Sequence, residues 1–324
     1  MPVIDFKIVF LTETFLLLIL LYFKRDALKK RIITLFGNAK MPPFCLWGFR
    51  LLLGGLLLEK LSELYYGTPL LIRPTSFLRI DAIFQVLFHS EYRFFILIVI
   101  PLIFVVLFVL ELKPRLTSTI ILLYSIIGGT IYATVSGSLG KMQHKFHMTA
   151  LMLLGFAFYY WFYYKSNDKR KNEWMILPIL LFFIATIYGS SFFSKMAHIQ
   201  EVPKWFSGEA VQSAIITGHY QRVLTLGHEI GALSPIPQLA IDNRPIAALF
   251  GIGVLLTEFS SLLLLMVSNR LRLLILILFV FFNVGVGVFI LPNYFSRNII
   301  VLIYFAVWAA YNAFPNLRNL FSKK

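Results

Sequence analysis

The fold class turns on Leu180-Leu-Phe-Phe-Ile-Ala-Thr-Ile-Tyr188-Gly-Ser-Ser-Phe-Phe193-Ser-Lys195. No charge interrupts it from Leu180 to Phe193, and it closes on a lysine. Extended back to residue 174, it makes a segment of about 20 residues, the length that crosses a bilayer core as a helix. Backbone groups in lipid must bond within their own segment, so a helix fits and an open sheet does not. The segment is solidly apolar rather than alternating, which argues against a barrel strand.

Working outward, similar runs recur, and the pattern predicts about nine spans: 6–23, 43–64, 94–111, 116–136, 147–164, 174–194, 245–267, 271–291 and 298–315. The 324 residues are 59% hydrophobic, with a mean hydropathy of +0.79. Soluble domains are less apolar. The expected fold is all-α: a polytopic helical bundle in a membrane. Glu111-Leu-Lys-Pro-Arg115 reads as a tight helical hairpin, and residues 165–173 as a polar loop. Residues 1–40 read as an extra N-terminal span with a basic loop, and 41–315 as the helical core. Residues 195–244 carry Trp205 and Phe206 among prolines and glycines. They are expected to fold as short helices on or in the membrane interface, which favours tryptophan and tyrosine.

The net charge of +15 sits mainly between the apolar runs, in clusters such as Lys24-Arg25, Lys29-Lys30-Arg31 and Lys169-Arg170-Lys171. The positive-inside rule and anionic lipids explain such charges, so nucleic acid is not an expected partner. Lysine and arginine in the short loops place the N-terminus outside and the C-terminus in the cytosol. The charge at Lys24-Arg25 follows the first apolar run instead of preceding it, so that run is expected to be a span and not a cleavable signal. Cys45 is the single cysteine, which excludes an internal disulfide and a cysteine metal cage.

This topology puts all six histidines, His89, His144, His147, His198, His219 and His228, in or beside outer loops. Histidine carries protons near neutral pH, so chemistry is expected on that face. His144 and His147 are spaced i, i+3 and share a face if the helix begins early enough. No carboxylate-rich metal motif accompanies them, and no metal is expected. Lys195 either snorkels to water or is a partly desolvated amine available as a base. Arg50, Glu59, Lys60 and Glu258 lie inside spans, where charges are costly and face protein or a wet cavity. Arg50 and Glu258 fall at similar depth with opposite sign, so they are expected to pair and fix helix packing. Gly54-Gly55, Gly128-Gly129, Gly251-x-Gly253 and Gly285-x-Gly287 are expected to allow close helix contact.

Ser194-Lys195-Met, followed by Trp205-Phe-Ser-Gly208-Glu-Ala-Val-Gln212, resembles a segment of the vitamin K-dependent γ-glutamyl carboxylase-like (HTTM) superfamily. His147-Met-Thr-Ala-Leu-Met-Leu-Leu-Gly-Phe156, Arg50-Leu-Leu-Leu-Gly54 and Gly253-Val-Leu-Leu-Thr-Glu258 resemble three further segments, and the four follow the family order. The resemblance spans about residues 45 to 310. It implies Lys195 as a catalytic base with His147 beside it, and His144, His198, Trp205 and Glu209 around a substrate or cofactor cavity. It implies a quinone or hydroquinone as cofactor. In one departure, Ser194 stands where carboxylases carry the first lysine of a pair. Only a short basic tail follows the last span, so the lumenal domain that recruits peptide substrates is expected to be missing. Small bacterial members include a membrane protein that matures a secreted sporulation-delaying peptide toxin. The resemblance thus implies a multi-pass protein of the bacterial inner membrane that modifies or matures a secreted peptide at its outer face, with a soluble or membrane partner protein. Two other readings stay open: a non-catalytic membrane partner (immunity, assembly or receptor subunit) and a small-solute transporter.

Overall fold

The computed structural model describes residues 30, 34–36, 45–67, 92–138, 147–164, 173–197, 202–226, 235–289, 296–314 and 316. Among them every regular element is helical. The chain divides into two compact units, residues 41–183 and residues 1–40 with 184–324.

The first unit opens with α1 (Cys45–Gly67). A π-helical turn (Phe95–Val99) runs into α2 (Ile100–Val109). Then come α3 (Pro114–Ser138), α4 (His147–Phe162) and a 3₁₀ turn (Glu173–Met175) leading into α5 (Ile176–Ala197), which from Ile184 on belongs to the second unit. Aromatic rings fill the space between α1, α2 and α4. Phe156 lies 5.9 Å from Phe49 and 5.4 Å from Phe108, centroid to centroid. The expected hairpin at 111–115 is present. Glu111 (φ 58°) and Lys113 (φ 44°) both take left-handed backbone, costly for residues other than glycine. Pro114 then opens α3, where its missing N–H is no loss.

The second unit holds two short helices, α6 (Val202–Phe206) and α8 (Pro235–Asp242), with the 18-residue α7 (Glu209–Leu226) between them, longer than the short helices expected there. Next come α9 (Arg244–Ser260), a 3₁₀ turn (Ser261–Leu263), α10 (Asn269–Phe289) and α11 (Ser296–Ala313). α9 touches α6, α7, α8 and α10, while α10 lies along α11.

Among the described residues, three segments are long and apolar enough to cross a membrane: Ile176–Met196, Arg244–Leu263 and Asn269–Val286. Phe95–Val109, Met148–Phe162 and Asn298–Ala313 are shorter apolar helices. Leu249 (71% exposed) and Phe281 (68%) sit on the outer faces of α9 and α10. Large apolar surfaces of this kind mark a membrane or a protein partner. The expected first span, 6–23, lies outside the described residues.

Helix ends supply a pattern that the charge distribution alone does not show. The last carbonyls of a helix lack partners, and arginines from elsewhere in the chain provide them. Arg93 donates to the Leu64 and Tyr65 carbonyls at the end of α1. Arg115 donates to the Tyr160 and Tyr164 carbonyls, at 3.1 and 3.4 Å, at the end of α4. Arg244 reaches the Ser207 carbonyl after α6 at 3.1 Å. Arg272, fully buried, donates to the Leu264 and Val267 carbonyls, each at 2.9 Å, and to Asn269 Oδ1. Its guanidinium lies 4.2 Å from the ring centre of Phe36 and 5.7 Å from that of Trp308. Phe36 and Trp308 are themselves parallel, 6.1 Å apart.

Candidate functional site

Tyr188, Ser191 and Lys195 are spaced i, i+3, i+7 and therefore line one face of α5. Lys195 Nζ donates to Glu258 Oε1 at 2.6 Å, to Glu258 Oε2 at 2.8 Å and to Ser191 Oγ at 2.8 Å. Ser191 Oγ in turn donates to Glu258 Oε1 at 2.8 Å. The Trp205 ring, presented by α6, lies 5.0 Å from Nζ. The Glu258 side chain is 4% exposed and that of Lys195 17%. Serine, ammonium and carboxylate thus form a closed, nearly dry triangle with an aromatic wall.

Local sequence explains the placement. Gly208 (φ 84°) ends the α6 turn in left-handed backbone, and a β-carbon there would stand 2.6 Å from Ala248 N. Gly251 lets the α6 backbone rest on α9. Behind this contact, Trp205, Ile241 and Ile246 pack on Val211, Ile215, Ala240 and Ala247. Gln212 Nε2 ties α7 to the Ile241 carbonyl at 2.8 Å. The helix bearing Glu258 is held to α5 by Ser261 Oγ, which donates to the Ala185 carbonyl at 3.3 Å. Further along α5, Tyr188 OH accepts from Asn283 Nδ2 at 2.8 Å, and the ring lies 4.3 Å from Phe279.

Lys195, Trp205 and Glu258 come together, which the sequence did not predict as a group. Arg50 and Glu258, expected to pair, lie in different units and each has a partner in its own: Glu258 pairs with Lys195, and Arg50 Nη1 meets Glu111 Oε1 at 3.2 Å. Arg50 Nη1 also donates to Tyr160 OH at 2.8 Å. Matching depth along two helices does not fix the rotation that brings two side chains face to face. Lys195 faces a carboxylate, the arrangement of an ion pair rather than of the free amine expected for an isolated base. Lys60, almost fully buried, pairs with Glu63 at 3.0 Å, one turn along its own helix. Glu209 is exposed in the first turn of α7, where a carboxylate suits the positive end of a helix. Of the glycines, Gly54 and Gly251 do make close contacts, while Gly55, Gly253 and Gly285 face open space.

His147 opens α4. The side chains of His147 and His219, and the residues His89, His144, His198 and His228, lie outside the described structure. Ser191 was missed by sequence reasoning, although its i, i+4 spacing to Lys195 was visible. Comparison of the chain with family models, with curated proteins and with solved structures finds no match.

Proposed function

We propose that the chain is a multi-pass protein of the bacterial inner membrane, N-terminus outside and C-terminus cytosolic, that modifies or matures a secreted peptide at its outer face. The Lys195–Glu258 ion pair carries this reading. It joins two of the three membrane-length helices, and ionisable residues inside spans mark working sites by default. The pair is a proton-handling unit, with Glu258 as acceptor and Lys195 as its cationic partner. Trp205 forms one wall of the site.

Further support comes from the four short motifs shared with the carboxylase-like (HTTM) superfamily. That resemblance adds His147 as a proton partner, with His144 and His198 near the cavity. It also implies a quinone or hydroquinone as cofactor.

The test is Lys195→Ala, with mass spectrometry of the peptides and lipid-soluble molecules that co-purify with each protein. A modified peptide present with the wild type and lost with the variant, compared at equal amounts of folded protein, is the expected result. Topology is read separately with single cysteines at 169 and 204 in a Cys45→Ser background. An impermeant maleimide added outside intact cells should label position 204 and spare 169.

A second reading, a non-catalytic membrane partner, is favoured by the exposed Phe206 and Leu239 on α6 and α8. There the ion pair would serve only as a clamp. Partner binding would survive Lys195→Ala and fail on Phe206→Asp.

A further inference from the structure

We infer that Ser191 is a nucleophile and that the reaction at this site is acyl transfer on an amide bond. The inference rests on the peptide-processing reading and names its chemistry. Three observations carry it. Ser191 Oγ donates to a carboxylate oxygen of Glu258 at 2.8 Å, the geometry a general base needs to take the hydroxyl proton. The same Oγ accepts from the Lys195 ammonium at 2.8 Å, so a cation beside it eases loss of the hydroxyl proton. Glu258 is buried and Ser191 only partly so, which leaves the serine as the member of the pair nearer the surface.

The steps balance without any further reagent. Ser191 Oγ attacks the carbonyl carbon and its proton passes to Glu258 Oε1. The carbon–nitrogen bond then breaks, and the departing amine takes that proton from Glu258. An acyl ester on Ser191 remains. Water attacks the ester, Glu258 again accepts the proton, and it is returned to Ser191 Oγ as the acid leaves. Lys195 stays an ammonium throughout and stabilises the oxygen by charge. Serine and lysine one turn apart on a helix hold this geometry through the backbone itself. The carboxylate from α9 completes it only when the two helices are packed. The balanced charge of the pair and the apolar surroundings suit an uncharged amide within an apolar stretch of peptide.

The test uses the full chain purified in detergent and an alkyl fluorophosphonate probe, with the adduct located by peptide mass spectrometry. The probe needs no peptide substrate, so labelling reports on Ser191 even if the processed molecule proves not to be a peptide. The expected adduct is on Ser191, absent in Ser191→Ala and formed about 10²-fold more slowly in Glu258→Gln, the scale of losing a general base. A Ser191→Cys variant in the Cys45→Ser background measures access independently, by its rate with iodoacetamide. An unlabelled wild type beside an alkylated Ser191→Cys would overturn the inference, because the position would be reachable and unreactive. An unlabelled wild type beside an inert Ser191→Cys would overturn it equally, because no acyl group could enter.

Discussion

Gly251 lies so close beneath Trp205 that a β-carbon on it would stand 2.1 Å from the Trp205 carbonyl oxygen. The contact is with backbone, so no side chain can swing aside to relieve it. Gly251→Ala is expected to push α6 off α9 and cost about 1–3 kcal/mol, the scale of overpacking. Gly253→Ala, facing open space two residues on, should instead stabilise by about 0.5–1 kcal/mol through better helix propensity. Thermal melts of the two variants in detergent decide this, and equal shifts would contradict the contact.

The Lys195–Glu258 pair should obey the logic of buried ions. Removing one partner leaves an uncompensated charge, and Lys195→Met or Glu258→Leu alone should destabilise by about 3–5 kcal/mol. The double variant should recover most of that loss while remaining inactive. Chemical denaturation of the four proteins forms the cycle, and additive losses would show that the two side chains do not interact.

Arg50 belongs with Glu111 and Tyr160. Arg50→Glu should disrupt folding, and adding Glu111→Arg should restore protein yield in part. Adding Glu258→Arg should restore none. Recovery of folded protein with the second combination and not the first would reinstate the depth-matched pair.

Arg272 combines three roles: it lies 4.2 Å from the ring centre of Phe36 and 5.7 Å from that of Trp308, and it donates to several oxygens at once. Arg272→Lys is expected to behave almost as badly as Arg272→Met, since the planar fork and not the charge is what fits. Limited proteolysis between α9 and α10 reads the outcome. A lysine variant as resistant as the wild type would mean that charge alone suffices.

Helix positions were legible because length and apolarity are properties of one segment. The predicted 174–194 and 271–291 overlap α5 and α10 closely, and Glu111–Arg115 is the turn it was read to be. Partners between helices were not legible. Glu258 could be seen as a costly charge, but the helix face it met depended on rotation, which Gly251 and Gly208 set by backbone contacts that no periodicity reveals. The arginines were counted as topology signals. Their second task, closing helix ends, depends on which carbonyl each one reaches in three dimensions.

The Arg272 clamp bears on how the chain is made. Its acceptors, Leu264 and Val267, precede it by only eight and five residues, so the turn between α9 and α10 is satisfied as soon as those residues leave the ribosome. The two apolar helices and their turn therefore hold together through contacts local in sequence, and Trp308 of α11 adds a distant cover to the guanidinium.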